Sequence, residues 1–554
     1  MELEKAKNLT DSIEKAVERL KDILAKKAEV SGKLSVEKMD ENQVANYELA
    51  WAAAIVFAAK EMLSYPEKVG KGEGDLEGKL SRFFIADALD DLCTRLQANL
   101  LELGLPANEV QETLPLAELS EYVRVNRSEP FAKEIAQEIA DSNNYGAYGL
   151  NEEQQMMMES FRSFAEDQVM PKAEEVHRKD LIVPEEIISG LSEMGCFGLS
   201  IPDTYGGFHS EEAPDNTSMA VVTEELSRGS VGIAGSLITR PEIVSKAILA
   251  GGTTEQKEKW LPLFASGEKL CAVAVTEPDY GSNVAGIKVA ATKVDGGYKI
   301  NGVKTWCTFA GRAEVLMVLV RTNPDMALKH KGLSILLAEK PQFLGHDFEH
   351  TQDAGGKISG RAIPTLGYRG MHSFEVVFED YFVPDDNLVG GESGLGKGFY
   401  LQMEGFAGGR LQTAARAAGV MQSATEKALQ YSMERKVFDK PVFDYGLTQY
   451  KVAKMAAITQ AVRQMTYKSA ELIDKGEGMM EASLVKFYSC RIAEWVTREA
   501  LQIHGGMGYA EEYEVSRLFV DARVFSIFEG AEELLALRVI ARSILTETLQ
   551  KVPA

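Results

Sequence analysis

The chain is expected to be mainly α with a central β domain: a helical domain, a small antiparallel β domain and a C-terminal helical bundle, preceded by an extra N-terminal helical region. Three observations lead there. At 554 residues the chain is too long for one hydrophobic core. Apolar residues recur at helical spacing over most of its length. Between about 270 and 390 that spacing gives way to short β-branched runs punctuated by Gly, Asn-Gly and Pro.

Taken in order, residues 1–145 read as helices, with Ile13, Val17, Leu20, Ile23 and Leu24 on one face and an Ala-rich stretch at 47–63. Asp141-Ser142-Asn143-Asn144-Tyr145-Gly146 reads as a linker. Residues 151–269 are helical again, with a turn at Gly251-Gly252. In 270–390 the strand-like runs are 270–275, 297–300, 315–320 and 374–378. Long helical patterns return over 396–550, as in a bundle.

The N-terminal region repeats part of the C-terminal one. Tyr47-Glu48-Leu49-Ala50-Trp51-Ala52-Ala53-Ala54-Ile55 matches Tyr450-Lys451-Val452-Ala453-Lys454-Met455-Ala456-Ala457-Ile458 at an offset of 403. At an offset of 404, Lys71-Gly72-Glu73-Gly74, Glu77, Leu80 and Phe83 match Lys475-Gly476-Glu477-Gly478, Glu481, Leu484 and Phe487. This reads as a diverged internal copy of a helix pair. The alternative is that two Ala-rich amphipathic helices look alike by composition; the repeated Lys-Gly-Glu-Gly loop is harder to explain that way.

Composition excludes several partners. With 60 Lys+Arg against 83 Asp+Glu the net charge is −23, which repels nucleic-acid phosphates. Cys93, Cys196, Cys271, Cys307 and Cys490 are scattered, with no Cys-x-x-Cys, which fits a reducing cytoplasm and no structural metal. The N-terminus is charged and no apolar run has the length to insert in a membrane.

Phe525-Ser526-Ile527-Phe528-Glu529-Gly530 places one carboxylate between an apolar run and a flexible glycine. That makes Glu529 the candidate base for a C–H proton, since such a base needs a dry pocket and a matched pKa. Upstream lie Thr276-Glu277-Pro278-Asp279-Tyr280-Gly281-Ser282-Asn283 and Lys304-Thr305-Trp306-Cys307-Thr308, then Glu434-Arg435-Lys436-Val437-Phe438 and Gln502-Ile503-His504-Gly505-Gly506-Met507-Gly508. In this order, over about residues 150–545, these segments resemble the acyl-CoA dehydrogenase flavoprotein family.

The resemblance implies bound FAD, held without a dinucleotide-binding Gly-x-Gly-x-x-Gly loop. By matching position, Thr276 would bond the pyrimidine edge of the flavin, Trp306 would pack on it and Thr308 would reach N5. Gly281 and Ser282 would approach the phosphates, where small residues let backbone N–H groups come close. Arg435 and Phe438, expected on one helix face, would meet the FAD of a neighbouring subunit, with Gln502, Gly505 and Gly506 forming the turn for its adenosine half. A cofactor site shared in this way implies a homo-oligomer. On their own, Trp306 reads equally as a core aromatic and Arg435 as a solvated helix charge.

The implied reaction is α,β-dehydrogenation of an acyl-CoA, Glu529 taking the α-proton and electrons passing to an electron-transferring flavoprotein. Ala531 stands where many members have Thr, and Phe309 where Asn is usual. A lineage with its base just before the arginine matching Arg410 has Glu there; here it is Gly409. Phe406 and Arg410 are expected at the substrate. The long extension resembles the branch that oxidises methylsuccinyl-CoA to mesaconyl-CoA in the ethylmalonyl-CoA route. A diacid needs a cation for its free carboxylate, and Arg240 in Ser236-Leu237-Ile238-Thr239-Arg240-Pro241 is the candidate, against a surface pairing with Glu224 or Glu242. Other readings are a dehydrogenase for another short or branched acyl-CoA, an acyl-CoA oxidase, or a flavin-binding protein without turnover. The extension is expected to stand in for a second dimer, leaving a homodimer.

Overall fold

The computed structural model describes residues 1–210 and 214–551. The chain forms two compact units, one of Met1–Gln155 with Val420–Ala554 and the other of Met156–Gly419.

The unit Met156–Gly419 is built on an eight-stranded sheet. Its strands, numbered within the sheet, are β1 (Cys271–Ala274), β2 (Ala290–Val294), β3 (Gly297–Thr308), β4 (Val315–Arg321), β5 (Leu333–Glu339), β6 (Asp347–Thr351), β7 (Lys357–Ala362) and β8 (Ser373–Pro384). They lie in the order β1-β4-β2-β3-β8-β7-β6, with β5 also on β4. Pairing is antiparallel except that β1 runs parallel to β4, Cys271 opposite Val315, and one residue of β2 bridges β4 in parallel. The parallel pair follows from the crossover of about forty residues between β1 and β4, where a tight turn such as Asp295-Gly296 gives antiparallel β2 and β3.

The Val-Leu-Met-Val-Leu-Val run of β4 is buried on both faces, as its lack of alternation requires. Leu316, Val318 and Val320 pack in a cluster with Val222, Leu226, Ile233 and Leu237, whereas Val315, Met317 and Leu319 pack with Ile243, Val244, Trp260 and Phe264. Helix Thr239–Gly251 sits close on the first turns of helix Gly398–Glu434. A side chain at Gly405 would strike the Ile243 carbonyl at 2.7 Å, and one at Gly408 the Glu242 carboxylate at 2.2 Å.

In the other unit, helices Gln43–Lys68 and Leu76–Glu102 pack with Gly446–Asp474 and Met479–His504. The contacts are reciprocal under the repeat. Tyr47 meets Phe487 edge-on at 5.3 Å, and their repeat counterparts Tyr450 and Phe83 meet at 5.5 Å. The ion pair Arg95–Glu48 (3.1 Å) recurs with its charges exchanged as Lys451–Glu499 (2.6 Å). Lys68 pairs with Glu471, its own counterpart, at 3.1 Å. Residue i touching j while j′ touches i′ is the signature of a two-fold arrangement, here within one chain. Of the segment expected as a linker, residues 141–142 end helix Glu129–Ser142 and Tyr145 is buried; just beyond it, the Ala147 carbonyl accepts from Tyr65 (2.7 Å) and Gln460 (2.8 Å), and Arg463 lies 3.7 Å over the Tyr148 ring.

Candidate active site

Thr276 follows β1 and is pinned on both sides. Its carbonyl accepts from Thr305 N–H at 2.9 Å. The Lys304 amino group donates to the Val275 carbonyl (2.8 Å) and to Glu277 (3.0 Å), and the Glu277 carboxylate also accepts from the N–H groups of Lys288 and Val289. Lys304 is fully buried, and burial pushes its amino group down to about 8 despite the neighbouring carboxylate.

At the end of β3, Trp306 and Phe309 adopt φ of 57° and 69°, and His372 opposite has φ 49°. Three bulky residues in the left-handed region, in one short stretch of sheet, are a concentration of backbone strain of the kind found at functional sites. Trp306 is left 55% exposed, whereas Phe309, in the place of the expected Asn, is buried in the core. Between them Thr308 is buried, its hydroxyl 2.9 Å from that of Ser373, and the His372 carbonyl accepts from Phe309 N–H at 2.8 Å. Gly281 and Ser282 are exposed, and a side chain at Gly281 would meet nothing within 4 Å.

Arg240 is 7% exposed in the first turn of its helix, so it is not a surface charge, and Glu242 is engaged by Lys246 at 2.5 Å. Phe406 is half-buried against the core and Arg410 half-buried one helical turn on. Arg416, fully buried, donates to Ser236 (3.1 Å) and Thr413 (2.7 Å). Among the described residues, the Thr239 and Ser245 hydroxyls and both amide atoms of Gln402 and Gln412 are buried without partners. Each such group costs about 1–3 kcal/mol unless something polar joins it. Asp180, His346 and His372 also gather, but Arg369 lies 3.4 Å and His372 3.1 Å from one Asp180 oxygen, which makes this an ion cluster rather than a cation site.

In the other unit, Glu529 is half-buried with φ 53° and is followed by Gly530 at φ 98°. The Gly530 carbonyl accepts from the buried Lys486 amino group at 2.5 Å. Gln502 lies in the last turn of Met479–His504, which Gly505 terminates by donating its N–H to the Gln502 carbonyl. Side chains at Gly505 and Gly506 would meet nothing within 4 Å, leaving the backbone open. Arg435 and Phe438 do not share a helix face as expected. Helix Gly398–Glu434 ends before them, and Lys436–Val437 pairs with Lys440–Pro441 across a turn at Phe438 and Asp439, both with positive φ. The hairpin leaves Phe438 89% exposed.

Residues 151–268, 272–381 and 396–545 match the family models for the N-terminal, middle and C-terminal domains of acyl-CoA dehydrogenase. The chain belongs to the acyl-CoA dehydrogenase family. Its similarity to (2S)-methylsuccinyl-CoA dehydrogenase from Cereibacter sphaeroides is 37% identity over 98% of this chain and 97% of that one. The caffeyl-CoA reductase-Etf complex subunit CarC from Acetobacterium woodii is 31% identical, over 69% of this chain and 96% of its own. The structure of butyryl-CoA dehydrogenase from Megasphaera elsdenii is 30% identical with a TM-score of 0.65, covering 72% of this chain and 99% of that one.

An acyl-CoA dehydrogenase is an FAD-dependent oxidoreductase acting on CH–CH groups. Within each unit the residues present fit that cofactor: in Met156–Gly419 an open aromatic at Trp306 and an open glycine at Gly281, and in the other unit, separately, an open backbone at Gly505-Gly506. Sequence reasoning assigned no role to Lys304 or Glu277, although both lie inside its motifs. Ser373, Arg416 and Lys486 carry no spacing signal at all. The signal that finds them is burial of a polar group with a distant partner. No helix among the described residues is long and apolar enough to cross a membrane.

Proposed function

We propose that this acyl-CoA dehydrogenase oxidises (2S)-methylsuccinyl-CoA to mesaconyl-CoA in the cytoplasm and passes the electrons to an electron-transferring flavoprotein. The observation that carries the substrate is the likeness to (2S)-methylsuccinyl-CoA dehydrogenase along nearly the whole of both chains, extension included. CarC and the butyryl-CoA dehydrogenase structure are matched almost throughout their own length by about seven-tenths of this chain. The buried Arg240 and the unpartnered polar atoms of Thr239, Ser245, Gln402 and Gln412 favour an acyl group with a polar end, with Phe406 and Arg410 also lining it. The flavoprotein acceptor is supported by the Etf complex of CarC.

Glu529 accepts the α-proton, and its backbone N–H stabilises the developing charge on the thioester oxygen. FAD, when bound, supplies the acceptor for the β-hydrogen, which leaves as a hydride. Thr276, Trp306 and Thr308 hold the flavin ring and Gly281 and Ser282 its phosphates. Arg435, Phe438, Gln502, Gly505 and Gly506 hold the pyrophosphate and adenosine of a partner subunit's FAD. The reciprocal packing of the extension on its C-terminal counterpart supports a homodimer, the copied helix pair covering a face that a second dimer otherwise covers.

The test is flavin bleaching across a panel of CoA thioesters with wild type and Arg240→Met. Wild type is expected to prefer methylsuccinyl-CoA. Arg240→Met is expected to weaken its use by about 2–5 kcal/mol while relative activity on butyryl- or isobutyryl-CoA rises. An unchanged ranking removes both the role of Arg240 and the diacid.

A further inference from the structure

The loop that carries Glu529 is tied to the N-terminal extension. Glu532, three residues beyond Glu529 and 8% exposed, accepts hydrogen bonds from the Arg491 guanidinium (2.8 Å) and from the Tyr47 hydroxyl (2.5 Å). Tyr47 stands in the second turn of helix Gln43–Lys68, its ring edge-on against Phe487. Burial, with Glu532 beside it, pushes the Tyr47 hydroxyl well above its usual range, so it remains a donor at any working pH. Arg491 comes from the C-terminal body, and its side chain is 53% exposed. Between Glu529 and Glu532, Lys486 holds the Gly530 carbonyl.

Glu529 stands one residue before the first of these ties and three before the second; it and Gly530 both have positive φ, a conformation that Glu529 does not adopt unless its surroundings impose it. We propose that Tyr47 is a positioning residue for Glu529: through Glu532, the extension sets the place of the catalytic base. This rests on the reading of Glu529 as the base. It gives the copied helix pair a part in turnover besides covering an apolar face. The physical case is that a charge-assisted hydrogen bond from a half-buried hydroxyl to a buried carboxylate is strong and directional, and that a small displacement of a base costs a large factor in rate.

The experiment uses the full-length holoenzyme with Tyr47→Phe, which keeps the ring against Phe487 and removes only the hydroxyl. FAD content, melting temperature and mass are expected to stay at wild-type values. kcat is expected to fall by about tenfold with KM unchanged, and amide hydrogen exchange over residues 527–534 to quicken. Glu532→Gln is expected to act in the same direction, and the double variant to be no slower than the worse single one, because both break one link. Wild-type kcat and exchange in Tyr47→Phe, with Glu529→Gln inactive, overturn the brace and leave the base in place. Loss of activity that tracks loss of FAD or of the native mass also overturns it, as does a Glu532→Gln that turns over normally. An active Glu529→Gln instead removes the reading on which the proposal stands.

Discussion

Lys304→Met tests how the segment around Thr276 is held. Methionine matches lysine in length and leaves little cavity, so the loss is electrostatic. It removes donors to the Val275 carbonyl and to Glu277, a carboxylate only 5% exposed. Breaking a buried pair from one side costs about 3–5 kcal/mol. Glu277 keeps the N–H donors of Lys288 and Val289, which places the expected loss near the lower end, about 3 kcal/mol. At about 2–4 °C per kcal/mol for a unit of this size, the melting transition of Met156–Gly419 drops by roughly 6–12 °C. FAD affinity falls with it, because the two groups released flank Thr276. A pH series isolates the lysine. Burial lowers Lys304 to about 8 in the folded protein, against about 10.4 unfolded. Between those values the unfolded chain binds the proton that the folded one has lost, so this group adds stability as pH rises, and the gap between wild type and Lys304→Met widens. Thermal unfolding and FAD titration from pH 7 to 10 measure it. A melting point within about 2 °C of wild type, with unchanged FAD affinity and a gap independent of pH, refutes the reasoning.

Glu529→Gln is expected to fold and bind FAD yet lose dehydrogenation by several orders of magnitude, because the amide accepts no proton; rapid-mixing measurement of flavin bleaching reads this directly. Light scattering of the intact protein is expected to give the mass of two chains. Removing residues 1–145 strips the cover from Tyr450, Phe487 and Tyr488, so the truncated chain is expected to aggregate or associate further. A four-chain mass, or a truncated form that stays a soluble dimer, refutes the dimer reading.

The helix and strand changeovers near 270 and 396 were legible because periodicity is a property of near neighbours; the run 315–320 read as a strand, and its cover on both faces came from the structure. The parallel pairing of β1 with β4 was not legible, since it depends on where the chain returns. Arg435 and Phe438 have the spacing of a helix face but stand on a hairpin whose turn, Phe438-Asp439, lacks the Asn-Gly or Asp-Gly chemistry that marks such turns in a sequence.

From sequence alone came the helical and β regions, the ordered motifs of a flavin-dependent dehydrogenase, the reading of an internal copy and the candidate base. All of these are written in short stretches or in their order along the chain. Tertiary structure alone decided what holds those residues. Lys304 reaches back to Glu277, Thr308 pairs with Ser373, Arg416 finds Ser236, and Glu532 takes a hydroxyl from Tyr47, 485 residues away. A buried polar group must find a partner wherever the folded chain brings one. The identity of that partner is a property of the path through space, which no local pattern of residues contains.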